Sequence, residues 1–203
     1  MLQRPAPRLV LASASVARRD LLRAAGLEFQ VRSAPIDEAG VKNAARSEGQ
    51  SVEQAALRLA EQKARHVAVQ EPDALVIGAD QILVCGDAWF DKPASIAAAR
   101  AQLLTLRGQS HELVTAVLCL RGSEPLWHHV DRPRLTMRRF SDAWLNAYLD
   151  AEGETVMSTV GAYRLEKLGV HLFDRIEGDH AAILGLPVLA LLRFLREEDV
   201  LVG

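Results

Sequence analysis

The stretch DALVIGADQILVCGD, residues 73–87, constrains the chain more than any other. It is an apolar run with β-branched residues, as a strand favours, yet Asp80 and Gln81 stand in its middle. A lone ionised carboxylate inside a strand is costly unless it is paired, metal-bound or protonated. Two readings stand side by side. Either the strand runs through and Asp80 belongs to a site, or the chain breaks at a tight turn at Asp80 and Gln81 and the carboxylate meets water. Gly78 lacks a side chain, which leaves a ligand room to approach the backbone there.

A second stretch, LASASVARRDLL, reads as a strand end, a small polar loop and a helix start. The first turn of a helix carries the positive end of its macrodipole. Arg18 and Arg19 put the wrong sign there, so an external anion would relieve them. Free backbone N–H groups at such a loop make a ready anion site. Ser13 and Ser15 add hydroxyl donors, and Arg18 adds a forked, always-charged donor suited to phosphate oxygens. The plainer alternative makes Ser15 an N-cap with both arginines in water. The glycines and the Gly-Lys-Ser/Thr ending of a P-loop are absent.

Around these stretches, strand and helix signals alternate. Residues 8–12 and 28–32 read as short strands, and residues 16–25 as a helix stopped by Gly26. A polar loop carries Ile36, Asp37 and Glu38. Residues 51–69 form a long amphipathic helix, with Ser51 and Gln54 spaced as a capping box. Residues 94–106 are alanine-rich and helical. Residues 112–120 and 126–137 pair as antiparallel strands about an RGSEP turn. Ser141 caps a helix to residue 149, residues 170–176 read as a strand, and residues 184–198 close the chain as a helix with Pro187 near its first turn.

The 203 residues show no internal repeat and no Pro- or Ser-rich linker, which favours one mixed α/β domain. Apolar residues at 49% recur along the chain, which excludes disorder. The net charge of −2 gives no global attraction for nucleic acid or anionic lipid, so any anion site is local. Three Trp, two Tyr and five Phe offer little stacking surface for RNA. Cys85 and Cys119 lie in apolar runs and read as buried reduced thiols, which fits the cytoplasm. RLVLASASVA is too short in its apolar core for a signal peptide, and ILGLPVLALL is too short for a bilayer. No membrane association and no nucleic-acid partner is expected.

Candidate partners for Asp80 are Lys63 in LAEQKAR, Lys92 in DKP and Glu38 in PIDE. Singly, each is an ordinary surface charge. Together they match a set for phosphoryl transfer: two carboxylates for a divalent metal and a water, with lysines and an arginine on phosphate oxygens. His111 is read as capping a strand or donating to a substrate. The adjacent His128 and His129 point to opposite faces and are structural.

The ordered series LASASVARRDLL, PIDE, LAEQKA, VIGADQ, DKP, LRGQSHELVTAV, GAYRLE and GDHAAILGLP resembles the Maf family of nucleoside triphosphate pyrophosphatases, from about Leu9 to Leu195. The resemblance implies an α/β fold, an elongated mixed β-sheet flanked by helices with a central cleft, similar to the inosine triphosphate pyrophosphatase-like fold. It implies a single domain over residues 1–203, with two lobes around that cleft. It also implies cleavage of a nucleoside triphosphate to the monophosphate and pyrophosphate, with Mg²⁺ or Mn²⁺ as the divalent cation. By position, Asp80 matches the catalytic base. Ser13 and Arg18 match the phosphate-binding loop, and Lys63 and Lys92 match further substrate contacts. Glu38 and Asp80 match the metal-binding carboxylates. Three positions sort the family by base: Arg, Thr and Gln in a branch acting on dTTP and UTP, and Trp, Gln and Glu in a branch acting on 7-methyl-GTP. This sequence has Ala17, Gln81 and Glu166, so two of the three match the second branch. Glu166 suits guanine, because a carboxylate accepts from N1–H and N2–H and pairs with the charge that N7-methylation creates. House-cleaning of non-standard nucleotides is the implied role, and a homodimer is a candidate assembly. The alternative is a nucleotide-binding regulator of septum formation and cell division with little or no turnover.

Overall fold

The computed structural model describes residues 2–202. Eight strands share one mixed sheet, in the order β2-β1-β3-β5-β7-β8, with β4 on β3 and β6 on β5. Its parallel part joins β1 (Leu9–Leu11) to β2 (Gln30–Val31) and to β3 (Leu75–Cys85). Such pairing needs helical crossovers. They are α1 (Val16–Ala24), then α2 (Glu38–Ser47) and α3 (Val52–Ala68). The remaining pairs named here are antiparallel: β4 (Ala88–Phe90) on β3, β6 (Glu124–Asp131) on β5 (Ser110–Arg121), and β7 (Arg134–Met137) between β5 and β8 (Phe173–Glu177). Helices α4 (Ile96–Leu106), α5 (Asp142–Glu152), α6 (His180–Ile183) and α7 (Val188–Glu197) complete the fold.

The chain divides into two compact units. The first takes Met1–Gln81, Thr115–Asp131 and Gly185–Gly203; the second takes Ile82–Val114 and Arg132–Leu184. In the first unit, Leu9, Leu11, Leu75 and Ile77 are buried from the sheet, with Leu22 from α1 and Leu59 from α3. The α3 face is built from small residues, Ala55, Ala56, Ala60 and Ala64, all fully buried. Its start has the full capping box, with Ser51 and Gln54 each accepting from the other's backbone N–H. On the other strand pair, Phe194 of α7 stacks on Trp127 of β6 at 4.9 Å.

Three sequence expectations change. The polar stretch after β2 is largely the helix α2. Asp37 is its N-cap, accepting from Gly40 N at 2.9 Å, and Glu38 places negative charge in its first turn. The strand expected over residues 126–137 is two strands. Pro133 has no N–H to give a ladder, and β6 and β7 pair with different parts of β5 on either side of it. Finally, the apolar run does not turn at Asp80 and Gln81; β3 passes straight through both.

In the second unit, Leu103 and Leu106 of α4 pack with Leu113, Leu135, Leu145 and Leu172 in one apolar cluster. His111 of β5 is buried there at 1% exposure, with Nε2 2.8 Å from the Tyr163 hydroxyl. It neither caps the strand nor reaches the surface. Burial lowers its pKa from 6.5 to about 4. The native imidazole is therefore neutral, while the unfolded chain takes up its proton as pH falls through 6.5. Stability from this group is complete above that pH and declines as pH drops toward 4. The stability difference between wild type and His111→Phe, measured by urea denaturation at pH 7 and pH 4, is expected to shrink by up to about 3 kcal/mol. A difference that stays constant with pH would contradict a neutral buried imidazole.

Candidate active site

The first unit holds seven of the nine expected site residues: Ser13, Ala17, Arg18, Glu38, Lys63, Asp80 and Gln81. Asp80 lies on β3 at 4% exposure, in the strand interior where sequence left two readings open. Side chains alternate along a strand, so Asp80 shares a face with Gly78, and Gln81 takes the other. A Cβ built on Gly78 would overlap the carbonyl oxygen of Ala60 and stand 2.8 Å from Ala64 Cβ. The space read as room for a ligand is filled by α3. That close approach brings Lys63, between those two alanines, onto the carboxylate: Lys63 Nζ lies 2.5 Å from Asp80 Oδ1. The same ammonium lies 2.6 Å from Glu38 Oε1. Lys63 is buried, whereas the Glu38 side chain is nearly half exposed.

The loop after β1 meets β3 one residue before Asp80, through Arg18 and the carbonyl of Ala79. Ser15 caps α1 and its Oγ accepts from Arg18 N, as the plainer reading held. The Arg18 side chain, however, is not in water. Nε donates to Gly185 O at 2.8 Å, and Nη1 donates to Ala79 O at 2.8 Å and to Ser13 Oγ at 3.1 Å. Negative ends of the chain's own dipoles thus meet the cation that seemed to lack a partner at the helix start. Burial lowers the Arg18 pKa, and the charges of Asp80 and Glu38 act in the opposite direction. Arginine has five N–H donors. Among the described residues, the pair on Nη2 has no hydrogen-bond partner.

Gln81 is tied down by Nε2 donating to Thr115 Oγ1 at 2.8 Å, and Thr115 is fully buried. Ala17 is half-buried in the first turn of α1. Lys92 and Glu166 belong to the second unit, each exposed: Lys92 after β4, just before the buried Pro93, and Glu166 in a turn after Tyr163. Residues that the sequence reading overlooked include Ala79 and Gly185, which act through backbone carbonyls and therefore carry no side-chain signal. Thr115 was hidden in an apolar strand.

The donor set suits a hard cation. Two carboxylates, Asp80 and Glu38, turn oxygens toward one cationic nitrogen. Oxygen ligands from one or two carboxylates, with phosphates and water completing the shell, are what magnesium takes. Among the described residues, no group of three His, Cys, Asp or Glu forms a self-sufficient metal cage. A metal here would therefore draw further ligands from outside the protein.

A mixed sheet carrying a carboxylate–lysine–carboxylate bridge, with Asp80 and Lys63 buried, beside an arginine-bearing strand-to-helix loop defines an α/β protein with a built charged centre. Comparison places it more closely. A family model described as Maf-like protein matches residues 8–198, and the chain belongs to that family. A protein of Granulibacter bethesdensis named nucleoside triphosphate pyrophosphatase is 52% identical over 194 residues, spanning 96% of this chain and 98% of that protein. One of the same name from Rhodospirillum rubrum is 49% identical over 97% of this chain and 98% of that protein. A solved nucleoside-triphosphatase / dITP/XTP pyrophosphatase of Mycobacterium abscessus gives a TM-score of 0.40 at 15% identity, over 66% of this chain and 76% of that one, too loose a likeness to inform the site.

The approach of α3 to β3 is open to a direct test. Gly78→Ala is expected to lose about 1–3 kcal/mol in urea denaturation, because the added methyl meets backbone rather than a side chain that can swing away. A change within about 0.5 kcal/mol, the range of ordinary surface substitutions, would show that the helix can retreat at no cost.

Proposed function

We propose that this chain hydrolyses a nucleoside triphosphate to the nucleoside monophosphate and pyrophosphate. The observation that carries the reading is the sharing of the buried Lys63 ammonium by Asp80 and Glu38, in a chain about half identical to proteins named for that activity. Burial makes this charge arrangement expensive as mere scaffolding, since an apolar replacement of equal volume is often as stable. Chemistry is the better account of its presence.

The triphosphate is held at Ser13, Arg18 and the start of α1. Arg18 contributes through its charge and its Nη2 edge, while Nε and Nη1 keep their grip on Gly185, Ala79 and Ser13. Lys63 and Lys92 contact outer phosphate oxygens, the role of Lys92 being carried by the family resemblance. Glu38 and Asp80 would hold Mg²⁺ or Mn²⁺, which when bound neutralises phosphate charge and polarises the phosphorus centre. Asp80 takes a proton from the attacking water. The water oxygen bonds to the α-phosphorus, the bond from that phosphorus to the bridging oxygen breaks, and pyrophosphate leaves with the electron pair.

For the base, Gln81 and Glu166 support a modified guanine nucleotide, 7-methyl-GTP, and a house-cleaning role. Ala17 leaves the third position without a large side chain. The two free cysteines support work in a reducing compartment such as the cytoplasm.

Asp80→Asn is expected to cut kcat by about 100- to 10,000-fold in a pyrophosphate-release assay with Mg²⁺, with circular dichroism unchanged. Near-normal turnover would remove Asp80 from the role. Chelation by EDTA is expected to stop wild-type turnover, and added Mg²⁺ to restore it. Wild-type protein that binds a panel of triphosphates including 7-methyl-GTP, dTTP and UTP, yet releases no pyrophosphate, would favour the regulator without turnover.

A further inference from the structure

The second unit contains a buried histidine that the proposed chemistry does not use, and it is tied to the segment that carries Glu166. Residues 159–169 form only single turns, yet they are fixed from several directions. Tyr148 donates its hydroxyl to Ala162 O at 3.1 Å, and Thr159 Oγ1 donates to Tyr163 O at 2.7 Å. Arg164 Nη2 donates to Glu152 Oε2 at 2.8 Å and to Thr155 Oγ1 at 3.2 Å. Gly161 and Ala162 both have positive φ, 78° and 60°. A side-chain-bearing residue such as Ala162 stays in that region only where its surroundings hold it. A Cβ on Gly161 would stand 2.6 Å from Leu83 Cδ1 and 2.7 Å from Tyr163 Cε1.

At the end of this restrained backbone Glu166 is exposed, and among the described residues it makes no hydrogen bond or ion pair. A carboxylate held out on a strained, internally braced turn has the preorganisation that selective recognition needs. The innermost brace is His111. Its ring packs 5.7 Å from the Tyr163 ring and 5.9 Å from that of Phe173, and Tyr163 and Phe173 meet edge to face at 4.9 Å. His111 Nδ1 is buried without a partner. The bond between Nε2 and the Tyr163 hydroxyl, 2.8 Å long, is therefore the ring's one polar attachment among the described residues. Tyr163 lies three residues before Glu166, so this bond sets the near end of the turn.

We propose that His111 is a positioning residue for base recognition: by holding the Tyr163 hydroxyl it fixes residues 162–166, and with them the direction in which Glu166 is presented to a nucleotide base. The proposal rests on the reading that Glu166 meets the base.

The test compares wild type, His111→Phe, His111→Gln, Tyr163→Phe, the double variant His111→Phe with Tyr163→Phe, and Glu166→Gln. The substrates are 7-methyl-GTP and UTP. In His111→Phe the KM for 7-methyl-GTP is expected to rise about 10-fold, with kcat and the KM for UTP changed less than about 2-fold. Amide hydrogen exchange at residues 162–166 is expected to speed up about 10-fold in the same variant. Tyr163→Phe should match it, and the double variant should be no worse than either single one. His111→Gln keeps a donor and should recover most of the wild-type KM. Equal losses on both nucleotides, or unchanged KM with unchanged exchange, would overturn the proposal. A Glu166→Gln variant that keeps the wild-type base preference would instead sink the reading of Glu166. The exchange rates then decide alone whether His111 holds the segment.

Discussion

The charged centre depends on one close packing contact, α3 against β3 at Gly78. The missing side chain there, opposite Ala60 and Ala64, lets a helix backbone come within contact of a strand backbone. At that distance Lys63 on the helix places its ammonium 2.5 Å from Asp80 in the strand interior. A methyl group on the strand would press the helix outward and strain the contact between Lys63 and Asp80. Three small residues therefore underlie the placement of two charges.

Those charges in turn explain one another. Asp80 is tolerable inside the sheet because Lys63 neutralises it, and Lys63 is tolerable because Asp80 and Glu38 share it. Arg18 is buried beside them on oxygens of Ala79, Gly185 and Ser13, which supply dipoles rather than full charges. Two cations and two carboxylates come close to balance.

The second unit solves a different problem. Tyr163 belongs to its apolar cluster, and the buried His111 Nε2 meets the Tyr163 hydroxyl instead of water. That pair, with Tyr148, Thr159 and Arg164, restrains a segment that regular secondary structure does not. Rigidity there comes from side chains reaching back to the backbone, and it leaves Glu166 exposed on a fixed turn.

Much of this was legible in the order of residues. The capping box at Ser51 and Gln54, the cap at Ser141, the apolar run around Asp80 and the strand-to-helix loop at Ser13 to Arg18 are local patterns, and each element formed where its pattern stood. The α2 helix was missed because its polar sequence outweighs one Asp cap, and the split at Pro133 because apolar alternation hid a missing N–H. Whether Asp80 was paired or solvated stayed open until the fold was known. So did the partners of Arg18, whose bonds to Ala79 and Gly185 span 61 and 167 residues. Sequence by itself determined the elements and the kinds of charge available, because propensities, caps and periodicity act within a few residues. Tertiary structure alone decided that Gly78 admits a helix and that Arg18 turns inward, because packing distances between residues far apart in the chain are set by the whole core.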